Sequence, residues 1–157
     1  MALPFISEEN IDNVIGTLNI SEKKFETILA EFKTAQPAIL GYLFSDTFDL
    51  LTTYEKENFL FISLVIWKSI SNASNEKLPI IGGNQIETTE DLNWGKIENI
   101  KAKNFQERVT YLFENYPQED LLAFVEDFLV DDEDNEITKE GRMYIFVAAK
   151  TIIDCFV

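Results

Sequence analysis

The amino-acid sequence predicts an all-α fold: a compact bundle of about seven to eight helices in one domain, residues 1–157. Three observations point there. Apolar residues recur at i, i+3, i+4 and i+7 along most of the chain. No stretch alternates with period two for long enough to be a strand. Two segments, 54–70 and 139–156, are strongly apolar, and the first carries apolar side chains on every helical face. A helix of that kind must be enclosed by protein or by lipid. Spanning lipid takes roughly 20 apolar residues in a row. Glu55, Lys56 and Glu57 stop the run upstream and Lys68 interrupts it near its end, so enclosure by other helices is expected.

Taken in order, Ser7 followed by Glu8 and Glu9 is a helix start, with acids where the helix dipole favours them. Ile11, Val14, Ile15 and Leu18 form its apolar stripe, and Gly16 weakens it slightly. Ser21 repeats the start signal, and Phe25, Ile28, Leu29 and Phe32 repeat the spacing as far as Ala35. Pro37 is tolerated in a first turn, so a third helix begins after Gln36. Its expected buried side is Ile39, Leu40, Leu43, Phe44, Phe48 and Leu51, with Asp46 and Asp49 outward. Thr52-Thr-Tyr-Glu55 has the spacing of a capping box and opens the apolar helix.

Residues 71–87 are rich in turn formers and read as a long connection, of a length that is usually functional or mobile. Thr88 or Thr89 opens the next helix, which carries Leu92, Ile97 and Ile100. The pattern continues through Phe105, Val109, Leu112, Phe113 and Tyr116, as one long helix or as two broken near Asn104. Pro117 restarts the chain, and Leu121, Leu122, Phe124, Val125, Phe128 and Leu129 make a further helix. An acidic link follows, and Thr138 caps a last helix through Tyr144, Ile145, Ala148, Ala149, Ile152 and Ile153. There is a faint internal echo. Residues 36–42 resemble 118–124 and 56–62 resemble 139–145, as in a two-fold repeat of a helix pair whose apolar helices would lie side by side.

Composition narrows the function. A net charge of −15 argues against nucleic acid, whose binding needs clustered Lys and Arg, and against an anionic membrane surface. It permits a basic protein partner. Histidine is absent, which removes the commonest metal ligand, the usual general base and every His-activated nucleophile. Cys155 is the one cysteine and sits in an apolar run, as a buried inert thiol does. The amino terminus lacks the basic and apolar segments of a signal peptide, so a cytoplasmic location is expected and the two Asn-x-Ser matches carry no meaning.

Candidate sites are few. From Glu114 to Glu140 there are eleven acids and one lysine. A calcium loop starting at Asp131 fails, because Glu136 stands where the turn needs glycine and Arg142 where a bidentate Glu is needed. Ser21 and Lys24 match an acylating-enzyme pattern without its companion motifs, and Gly82-Gly83 lacks the rest of a phosphate loop. No catalytic residue, metal ligand or cofactor is therefore expected. The expected function is protein–protein binding, as an inhibitor, an immunity-type antidote or an adaptor. Asp131, Asp132, Glu133, Asp134 and Trp94 are the expected contact residues. The alternative is a small-molecule binder or enzyme with an apolar pocket between the two apolar helices. A homodimer through the last helix is a third reading, since the apolar run continues to Val157.

Overall fold

The computed structural model describes residues 3–101, 104–130 and 136–157, and among them it contains helices and no strand. In chain order the helices are α1 (Glu8–Leu18), α2 (Glu22–Ala35), α3 (Pro37–Leu43), α4 (Thr53–Ala73), α5 (Gly83–Glu98), α6 (Phe105–Phe113), α7 (Glu119–Val130) and α8 (Lys139–Phe156). A single 3₁₀ turn, Asp46–Phe48, joins α3 to α4. Among the described residues no helix is long and apolar enough to cross a membrane.

The helix starts fall where short polar side chains can take up the first free N–H groups. Ser7 accepts from the amide of Asn10, Ser21 from Lys24, Asn104 from Glu107 and Thr138 from Gly141. Thr52 and Glu55 close the full reciprocal capping box at the head of α4. Pro37 occupies the first turn of α3, as its fixed φ allows.

Helix α4 packs against α1, α2, α3 and α8, and α8 packs against α4, α5 and α7. The unbroken run Ile62–Trp67 is buried, as is every residue from Ile145 to Ile153. At the heads of these two helices a buried carboxylate ties them together. Glu55 accepts from the amide of its own cap Thr52, and also from the amide and hydroxyl of Thr138 at the head of α8. Two buried glutamines, Gln36 and Gln118, hold the extended Leu-Pro segments that precede α5 and α1.

The structure departs from the sequence reading at the end of α3, at the start of α5 and at Leu92, and it decides the alternative left open near Asn104. Helix α3 stops at Leu43, where the hydroxyl of Ser45 donates to the carbonyl of Tyr42 and closes the end. Phe44 therefore points outward, 67% exposed, while the 3₁₀ turn swings Phe48 back into the core. The connection after α4 covers only 74–82, because α5 begins at Gly83 rather than at Thr88. Burial of Ile81 and Ile86 draws the Gly-Gly-Asn-Gln stretch into a helical turn that its own propensity disfavours. Leu92, expected inside α5, is exposed, and the buried side of that helix runs through Ile86, Asn93 and Ile97. The pattern beyond α5 is two helices, broken before Asn104.

Candidate functional site

An open cleft of about 620 Å³ lies between α5, α6 and the end of α8. Its floor is a polar network on an otherwise apolar face. Lys150 is almost wholly enclosed, its side chain 3% exposed, and its ammonium lies 2.8 Å from Asp154 one turn further along α8. The same Nζ donates to Oδ1 of Asn93 on α5, also at 2.8 Å, and sits 5.0 Å from the centre of the Tyr116 ring. Asn93 donates through Nδ2 to Thr151 and to Asp154. The Tyr116 hydroxyl donates to the other oxygen of Asp154 at 2.5 Å. Polar atoms from α5, α8 and the α6–α7 connection thus meet on one carboxylate.

The electrostatics follow from burial. Loss of water pulls the Lys150 pKa down, although its bond to Asp154 opposes this, and nearby Lys96 adds to the lowering. Burial pushes the Tyr116 phenol well above its ordinary range, and the Asp154 charge pushes it further. The ammonium has two oxygen partners and an aromatic ring beside it, so the arrangement ties α5, α8 and the α6–α7 connection together at the cleft's floor. A second buried phenol, Tyr42 on α3, donates to Glu90 on α5 and is raised by the same cause. Cys155 is buried, and that burial raises its thiol pKa.

The rim is a different surface. Leu92 is 63% exposed and Tyr111 58% exposed, and both line the cleft above the network.

Of the residues singled out in the sequence, Trp94 lies on α5, half-buried, edge-on to Tyr144 of α8 with ring centres 5.6 Å apart. It lines a separate cleft of about 630 Å³ that also includes Val130 and Lys139. Asp131, Asp132, Glu133 and Asp134 lie outside the described residues. Trp67, by contrast, is core, packed on Phe32. Among the described residues no group of three or more Cys, Asp or Glu is placed to hold a metal ion.

The sequence carried one overlooked signal for the network. Lys150 and Asp154 stand four apart inside a run that is otherwise apolar, and a charge pair there has to be satisfied by neighbours. Nothing in the sequence marks Asn93 or Tyr116 as those neighbours.

Fold and clefts define an acidic all-α protein with an apolar-rimmed concavity over a fixed polar floor. Comparison with known proteins gives no relative: no family model, no curated protein and no solved structure matches the chain.

Proposed function

We propose that the protein acts by binding another protein of basic character, as an inhibitor, an immunity-type antidote or an adaptor would. The partner seats on the cleft between α5, α6 and α8. The observation that carries this reading is the exposure of Leu92 and Tyr111 around one concavity of a chain whose net charge is −15. An apolar side chain of the partner would enter between them, and the net negative charge of the chain as a whole would attract a basic protein. The fixed Lys150–Asp154 floor keeps the concavity in shape before the partner arrives.

The test uses the immobilised chain and an extract of the cells that make it. A basic protein should be retained at low salt and released by about 0.5 M salt, as screened charge attraction requires. The double variant Leu92→Asp/Tyr111→Ser should lose that protein, while Ile20→Ser, an exposed position in the α1–α2 connection, should keep it. Equal retention by the parent and the double variant would dismiss the cleft as the docking site. A second reading, a small-molecule binder, is supported by the cleft around Trp94. Its volume of about 630 Å³ falls in the ordinary range of ligand pockets.

A further inference from the structure

We propose that the cleft around Trp94 binds a small anion that carries an aromatic ring. The chain has two arginines, Arg108 and Arg142, and both line this one cleft together with Lys139. In a chain of net charge −15, that gathers guanidinium groups where anion recognition would need them.

Arg142 lies with its guanidinium 5.6 Å from the centre of the Phe105 ring, which holds the planar group in place. Its Nε is buried and has no hydrogen-bond partner. A buried donor without an acceptor is unfavourable, and a carboxylate or phosphate oxygen is the acceptor that fits a guanidinium edge best. The first turns of α6 and α8 both contribute to the wall, through Phe105 and Arg108 on one side and Lys139 and Arg142 on the other. The starts of both helices thus lie beside the cleft. Among the described residues that line the wall, Glu140 is the carboxylate, and it is exposed to solvent.

The aromatic half of the site is Trp94 and Tyr144, set edge to face at 66°, with Phe105 next to the guanidinium. Such rings take a flat ligand by stacking or by edge contact. A ring and an anionic head on one small molecule match the two halves of the cleft. A nucleoside monophosphate and an aromatic carboxylate share this chemistry.

Calorimetric titration of the full chain with AMP and with 4-hydroxybenzoate separates those two sources; adenosine and inorganic phosphate are the single-feature controls for AMP, phenol and acetate those for 4-hydroxybenzoate. Either acid should bind saturably, and the matching control at least about tenfold more weakly. Arg142→Gln should weaken that acid at least about tenfold, and Arg142→Lys should restore only part of it, because the ammonium keeps charge without the planar fork. Thermal melts of both variants establish that they fold. If neither acid binds, or if folded Arg142→Gln binds as the parent does, the proposal fails. Leu92 and Tyr111 lie in the other cleft, so that outcome leaves the docking reading standing.

Discussion

Gln36 and Gln118 make the same pair of hydrogen bonds to two different stretches of chain. Gln36 donates to the carbonyl of Pro79 at 2.8 Å and accepts from the amide of Ile81 at 2.9 Å. Gln118 donates to the carbonyl of Pro4 at 3.1 Å and accepts from the amide of Ile6 at 3.1 Å. The clamped segments read Leu78-Pro-Ile-Ile81 and Leu3-Pro-Phe-Ile6, and each leads into a helix, α5 or α1. Each glutamine precedes a helix, α3 or α7, and that helix is followed by one capped by threonine, α4 or α8. The clamps cross over: the glutamine of the first half holds the leader of the second, and the reverse. The contacts of α1 with α7 and of α3 with α5 run parallel to these crossed clamps.

The first prediction tests that equivalence. Gln36→Ala and Gln118→Ala each strip two bonds and leave a buried amide and a carbonyl without a partner. Each should cost about 2–4 kcal/mol by urea denaturation, with the two costs alike and nearly additive. A cost at one site less than half that at the other would show that the clamps are not counterparts.

The second concerns Gly141, where backbone and side chain compete for one space. A Cβ built there would lie 1.8 Å from Oε2 and 2.5 Å from the carboxyl carbon of Glu55. In a helix, Gly→Ala normally gains about 0.5–1 kcal/mol. Here Gly141→Ala must push away the carboxylate that serves the caps of both α4 and α8, so a net loss of about 2–4 kcal/mol is expected. In a Glu55→Ala background most of that cost should disappear, leaving only the 2.9 Å approach to Thr138 Oγ1, and a thermodynamic cycle over the four chains measures this. An undiminished cost in that background would place the clash elsewhere.

These two sites show what the sequence could and could not disclose. Caps were legible: Ser7, Ser21, Thr52 and Thr138 each start the helix expected of them, because capping depends on residues three apart. The echo between 36–42 and 118–124 was legible as amphipathic spacing, but the role of the glutamines was not, since their partners lie far away in the chain. Leu92 and Phe44 were misread inward, because periodicity fixes which residues share a face and not whether another element covers it. Gly83 was misread as loop, because the burial of Ile86 outweighed local propensity. The polar network was missed for the reason that hid the clamps. Lys150 and Asp154 are neighbours on α8, but Asn93 and Tyr116 reach them only through the fold.

The last prediction follows from the buried phenols. Tyr116 and Tyr42 have folded-state pKa values raised above the ordinary value of about 10, by burial first and by Asp154 and Glu90 next. A raised pKa means that the folded chain keeps a proton which the unfolded chain releases. Stability from these groups is therefore complete below about pH 10 and is lost as the pH rises beyond it. Lys150 has the opposite sign. Its folded-state pKa is lowered, so the unfolded chain binds the extra proton, and stability rises with pH between that lowered value and the ordinary one. Below the lowered value the lysine's burial is a standing cost, and its gain is complete only above the ordinary lysine value of about 10.5, so it partly offsets the phenols. The buried Cys155 thiol is raised too, so unfolding free energy measured by urea should begin to fall above about pH 9 and fall steeply above about pH 10. Tyr116→Phe should flatten the steep part, and adding Tyr42→Phe should leave only the shallower fall that Cys155 contributes. At neutral pH Tyr116→Phe should itself cost about 1–2 kcal/mol for the lost bond to Asp154. An alkaline slope that is the same in the parent and the double phenylalanine variant would mean that neither phenol is held protonated by the fold.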